Sequence, residues 1–211
     1  MTRFIPIFPL NVILYPGQPL NLHIFEPRYI ELINDCNVQK RTFGIPSVSK
    51  EQLNEYGTEA EIVEIAKVYE DGKLDIKVKG KSVFRVLEVI KNVPDKLYSA
   101  AVIYNMPHLP FDTNCLNPTL QDLFATFHSY LGVSFDMRSK SENPLSFDIA
   151  PYCALSDEDQ YRLLCASSEK ARQWFIIQHL QKLIPELQQT ELLKKKIAMN
   201  GHYRKEIPPK F

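Results

Sequence analysis

The sequence predicts an α+β chain, with a small, partly closed β barrel over residues 1–108, helices over 109–200 and a short basic tail at 201–211. Three observations carry this prediction. The first half holds short apolar runs that alternate with polar residues and are broken by proline. An Asp-Gly pair joins two of those runs. Beyond residue 117 the apolar spacing lengthens from two to three and four.

Phe4 to Leu10 is an apolar run interrupted by Pro6 and Pro9. Proline brings no N–H to a ladder, so these pieces belong at a sheet edge, a strand start or a bulge. In "YPGQPL" (Tyr15 to Leu20) Pro16 sets φ and Gly17 permits a positive φ, which makes a turn, and Leu20, Leu22 and Ile24 then alternate with Asn21 and His23 as a strand. At "EPRYIELINDC" the period changes. Pro27 suits a first helical position, and Tyr29, Ile33 and Cys36 fall at helical spacing beside Ile30 and Leu32.

Thr42 to Ser47 reads as a strand. In "GTEAEIVEIAKVY" Ala60 and Ile62 share a face, but Val63 and Ile65, then Ala66 and Val68, fall out of phase, which implies bulges or a bend. Asp71-Gly72 leads into Leu74, Ile76 and Val78, which alternate with Asp75, Lys77 and Lys79, the pattern of a hairpin. "SVFRVLEVI" and "LYSAAVIY" add two more strands, for six or seven in all.

Prolines in "NMPHLPFD" (Asn105 to Asp112) end the strands. Asn117 then caps and Pro118 opens a helix with Leu120, Leu123, Phe124, Phe127 and Leu131 on one face and Gly132 as its stop. Residues 133–152 show no sustained period and read as a long excursion. Ser156 with Asp159 forms a capping-box pattern, and Ser167 or Ser168 caps a long helix striped with Trp174, Ile177, Leu180, Ile184 and Leu187. Pro185 within that stripe should kink or restart the helix. So wide a stripe predicts an apolar interface with the β half through Trp174 and Ile177.

At 211 residues the chain is long enough to bury a sizeable core. Its 25 basic and 25 acidic side chains cancel, in each half as well as overall, so no electrostatic footprint for nucleic acid or anionic lipid is visible. "MTRFIPIFPL" lacks the apolar core of a signal peptide and no run is long enough to span a membrane, so a cytoplasmic location is expected. Cys36, Cys115, Cys153 and Cys165 lack C-x-x-C spacing, which fits reduced thiols rather than disulfides or zinc.

With these residues in view, the chain resembles the N-terminal domain of the Lon (La) ATP-dependent proteases in its stand-alone bacterial form. The pattern P-x-F-P-L-x-x-V…P-G…L-x-L-x-I-F-E-x-R-Y is met from Pro6 to Tyr29, and Phe43-Gly44, Gly57-Thr58, Ala60, Asp71-Gly72 and Gly80 match further on. The helical segments from "LSDEDQYRLL" to "LIPEL" also look like the family's second half. The resemblance implies a PUA-like pseudo-barrel followed by a helical bundle, and a substrate-engaging role. No G-x-x-x-x-G-K-[ST] loop occurs, and no length remains for the ATPase or the Ser-Lys protease module, so neither activity is expected. The family's Arg-Phe pair is Val83-Phe84 here.

No G-x-S-x-G elbow is present, and His23, His108, His128, His179 and His202 show no ligand spacing; no catalytic residue, metal or cofactor is expected. In "IFEPRY" one role is structural, with Glu26 at the helix start, Arg28 pairing locally and Tyr29 packing into the barrel. The other makes Phe25, Arg28 and the Tyr15-Pro16-Gly17 turn a rim for an extended polypeptide, its side chains entering pockets beside Phe8, Tyr15 and Phe25. The prolines at 6, 9, 16 and 19 would leave backbone groups free for β-augmentation. Lys77, Lys79, Lys81 and Arg85 form a basic strip that suits edge protection better than RNA. The expected function is thus a non-enzymatic module for unfolded or partly folded polypeptides, with a protease as a candidate partner. An RNA-binding PUA-like protein, or a hydrolase assembled from distant residues, are the alternatives. The oligomeric state stays open.

Overall fold

A computed structural model describes residues 2–106, 115–133 and 145–203, with side chains to residue 190 and at Leu192. Most of the 105–112 strand-ending segment, part of the 133–152 excursion, and the tail beyond Tyr203 lie outside the described residues. Strands β1 (Thr2–Pro6) and β2 (Pro19–Ile24) precede helix α1 (Pro27–Val38). Strands β3 (Phe43–Ser49), β4 (Gln52–Val68), β5 (Leu74–Ile90) and β6 (Ala100–Asn105) follow. The helices are α2 (Pro118–Tyr130), the short α3 (Ser146–Ile149) running into a 3₁₀ turn, α4 (Asp157–Cys165) and α5 (Glu169–Tyr203).

All strand pairs are antiparallel, in the order β1-β6-β5-β4-β3, with β2 against the first half of β5. Long β4 and β5 take the place of several short strands, because bulges let one strand bend where the pattern slips. Their register shifts between Glu59 and Ala60, Ile62 and Glu64, and Ile65 and Lys67, the last two where the sequence falls out of phase. The Asp71-Gly72 hairpin forms: Gly72 takes φ 83° and its N–H donates to the Tyr69 carbonyl.

After β1 the chain crosses to the other sheet edge. Ile7 and Leu10 form parallel bridges with Gly44 and Ser47 of β3, and this draws the sheet around toward itself. The Tyr15–Gln18 turn docks on β5, where Gly17 N–H donates to the Gly80 carbonyl and Gly80 N–H to that of Gln18. Only glycine fits at position 80, since a Cβ there would fall against the Tyr15 carbonyl.

The ends of α2 and the start of α4 follow their cap signals. Asn117 Oδ1 accepts from Thr119 N–H, and Ser156 and Asp159 bond reciprocally. Val133 N–H reaches the His128 carbonyl and Gly132 N–H that of Ser129, the Schellman pattern. Helix α5 runs through Pro185 without restarting; that residue is exposed, so the carbonyl four residues earlier, robbed of its donor, lies at the wet side of the helix.

One apolar core lies between the sheet and α1, around Leu32, Ile33, Ile45 and Ile76. A second joins α2, α4 and α5 to Tyr15 and Val83 of the β half, with Ile177 inside it. The expected interface is therefore present but does not use Trp174, which is 58% exposed: the buried face of α5 runs through Ile176, Ile177, Leu180 and Ile184. At the start of α5 a buried polar knot replaces it. Glu169 accepts from Ser146, Arg172 and Gln173, and the Arg172 guanidinium lies 4.3 Å from the Phe147 ring centroid. Among the described residues no helix is long and apolar enough to cross a membrane.

Candidate functional site

The residues singled out in the sequence do not meet around one groove. Tyr15 is 1% exposed, stacked 5.0 Å from Phe147 with its hydroxyl donating to the Gln160 carbonyl, so it fastens the helices to the sheet instead of opening a pocket. Burial holds its phenol far above the usual range. Pro16 sits half-buried in the docked turn. Phe8 is buried beneath Tyr29, ring centroids 4.0 Å apart, and the Arg28 guanidinium lies 4.6 Å from the Tyr29 ring centroid while donating to Glu26 at 2.6 and 2.9 Å. The local, structural role of "IFEPRY" thus has its geometry, although the Glu26 side chain caps no N–H of α1. Phe25 is 59% exposed, beside His23 and at the far end of β4 from the cleft described next.

The backbone groups that the prolines were expected to free are mostly taken. Ile7 N–H donates to Ser99, Phe8 N–H to Gly44 and Leu10 N–H to Pro46, while Val48 N–H donates back to Leu10. There the ladder stops. Its next rung, from Val12 N–H to the Val48 carbonyl, is not made, and among the described residues the backbones of Asn11, Val12 and Ile13 form no hydrogen bond. The two segments splay apart into a cleft of about 510 Å³ between the sheet and α4.

Asn11, Val12 and Ile13 line one wall and Val48, Ser49 and Lys50 a second. Asn54 enters from a β4 bulge, where the register against β3 jumps between Pro46 and Val48. Its Nδ2 donates to Ser47 Oγ at 3.0 Å. Asp157, Glu158 and Tyr161 of α4 complete the site. Glu158 is held by Arg162 at 2.6 Å; neither Asp157 nor Lys50 has an ion-pair partner among the described residues. The Tyr161 hydroxyl accepts from Tyr56 N–H at 3.2 Å, tying α4 to β4, and burial pushes its phenol up to about 12, so it stays neutral. Sequence reading missed this cleft because its residues carry no motif; the signal available was the Pro6–Tyr29 stretch, in which Asn11 is the one polar residue between Pro9 and Tyr15.

The basic strip faces acids. Lys77 pairs with Glu64 at 2.8 Å, Arg85 with Glu55 at 2.8 Å and Lys81 with Glu61 at 3.7 Å. Of the histidines, His23 lies 2.6 Å from Asp75, His128 Nδ1 is 2.9 Å from the Phe124 carbonyl and His179 Nε2 is 2.9 Å from that of Cys153. His108 and the His202 side chain lie outside the described residues. Cys36 and Cys153 are buried thiols, Cys165 is half-buried and Cys115 exposed.

The profile of the ATP-dependent protease La (LON) substrate-binding domain matches residues 5–182. The Lon protease of Flavobacterium johnsoniae is 31% identical over 99 residues, 43% of this chain and 12% of that protein. Protein cereblon of Gallus gallus is 36% identical over 92 residues, 41% of this chain and 21% of that protein. The chain thus matches only a small part of either relative's length. In fold it resembles a Lon N-terminal domain protein from Xanthomonas campestris, with a TM-score of 0.62 at 24% identity over 87% of this chain and 98% of that one. It also resembles the N-terminal domain of Mycobacterium avium complex Lon protease, with a TM-score of 0.60 at 12% identity over 85% and 98%.

Proposed function

The chain belongs to the LON substrate-binding domain family, and from that premise we propose that it is a non-enzymatic module that holds extended, unfolded or partly folded polypeptides in the cleft between its sheet and α4. The observation that carries this reading is the ladder that ends at Leu10. A segment bridged in parallel to β3 that then opens into a cleft with a missing rung offers an incoming strand the donors and acceptors that pairing normally uses. On this reading the architecture is the PUA-like barrel with its helical bundle, the site of action is the cytoplasm, and a protease is a candidate recipient of the bound chain. The paired state of Lys77, Lys81 and Arg85 gives nucleic acid no comparable site.

Ordering a flexible ligand costs free energy, so affinity around the micromolar range, roughly 8 kcal/mol, is expected. The test titrates an unfolded model protein and labelled peptides into the wild type, into Val12→Pro, which deletes the donor of the missing rung, and into Phe25→Ala at the far end of β4, each first shown to be folded. Wild-type binding that survives Phe25→Ala and is lost in Val12→Pro is the expected result. Indifference of the wild type to every polypeptide, or undiminished binding by Val12→Pro, would overturn the reading.

A further inference from the structure

Resting on that reading, we infer that the cleft recognises the main chain of its ligand and not its side chains, and that Asn54 is the residue that clamps it. The walls argue against selection by side chains. Their aliphatic part is Val12, Ile13 and Val48, all β-branched, Tyr161 is the single aromatic ring, and their charges are of both signs, Lys50 against Asp157 and Glu158. No deep aromatic-lined pocket is offered in which one apolar side chain would be strongly preferred over another.

The polar groups are instead those that pair with peptide units. A carboxamide presents one acceptor and two donors, the same set that a peptide group satisfies. Asn54 spends one N–H on Ser47 Oγ, and Ser47, 2% exposed, donates in turn to the Tyr56 carbonyl. The bulge sets Asn54 in the cleft wall and a buried hydroxyl pins its amide, which leaves Oδ1 and the second N–H, unpaired among the described residues, for a ligand. Across the cleft the unpaired backbone of Asn11 to Ile13 faces the same space. An extended segment laid between them meets amide groups on both sides whatever its sequence. Ser47 is a positioning residue in this arrangement.

Binding is measured by anisotropy with a peptide of about ten residues, two scrambles of it, and a version N-methylated at alternate positions. Scrambles should bind within about threefold of one another, N-methylation should cost more than about tenfold, and Asn54→Leu should weaken all three unmethylated sequences alike by about tenfold, one good hydrogen-bonded pair. Ser47→Ala, which frees the amide without removing it, should fall between. If Asn54→Leu fails to fold, Asn54→Asp, which cannot donate to Ser47, takes its place with the same uniform loss expected. One scramble binding while another fails, tolerance of N-methylation, or unchanged affinity in the Asn54 variant each overturns main-chain recognition while leaving polypeptide binding intact. Absence of binding by every peptide overturns both.

Discussion

Glu59 shows how much a single buried charge decides. It is 4% exposed and lies where β4 shifts register, accepting hydrogen bonds from Arg3, Thr42 and Ser82, the last at 2.8 Å. Burial by itself raises a carboxyl group, but these three donors outweigh it and hold Glu59 below its ordinary value of 4.5. A carboxylate depressed in the folded state adds stability above its unfolded value, and that stability is lost as pH falls through the folded value. Urea midpoints should therefore drop in acid below 4.5, and Glu59→Gln should flatten that drop while costing about 1–3 kcal/mol at neutral pH by leaving Arg3 without its charge partner. An acid limb identical in wild type and variant would refute this. Nothing in the sequence distinguishes Glu59 from its neighbours Glu61 and Glu64, which pair with lysines at the surface. The cap residues Asn117 and Ser156, whose bonds are local, were legible from spacing alone.

Two hairpins contrast at the scale of elements. The β4–β5 turn has its glycine where φ is positive, and the sequence declared it. The β3–β4 turn pairs Ser49 with Gln52 through Lys50 and Glu51 at φ 49° and 63°, a conformation that favours Asn-Gly, so no turn signal marked it and the strand boundary there could not be read. Lys50 also lines the cleft, which places backbone strain at its rim. The double change Lys50→Asn with Glu51→Gly should raise the urea midpoint by about 1–2 kcal/mol of stability with an unchanged slope. An unchanged or lower midpoint would mean that contacts beyond the turn hold these two residues. The same local logic located the bulges of β4, and at Pro185, where a kink or a restart was expected, the helix does not restart: one helix runs from Glu169 to Tyr203.

At the scale of the molecule, the second core is shared: Tyr15 and Val83 come from the β half and its other buried members from residues 116–184. Removing Tyr15 takes away a buried ring, its stacking on Phe147 and its bond to Gln160, so Tyr15→Ala should cost about 3–5 kcal/mol, and the loss should appear equally in probes of sheet and helices. Separate transitions for the two halves would contradict a shared core. Trp174 is the single tryptophan and is exposed, so its emission should resemble that of a solvated indole and shift little on unfolding. A blue-shifted native spectrum would place it back in the interface.

The sequence by itself determined the class of fold, the order of strands and helices, the bent β4–β5 hairpin, the helix caps and the family. The family rests on the resemblance carried by the Pro6–Tyr29 pattern, and the others on interactions within a few residues or on a period repeated along one element. Tertiary structure alone decided which face of α5 is buried, because Trp174 and Ile177 carry the same apolar signal and only the position of α2 and α4 chooses between them. It also decided that the residues between the prolines, Phe8, Leu10, Gly17 and Gln18, are bound back to β3 and β5, and that the ladder fails at Val12 rather than beside Phe8 or Tyr15. A cleft is made by two segments diverging, here residues 11–13 and 48–50 against the start of α4, and divergence between distant parts of a chain leaves no trace in the spacing of either one.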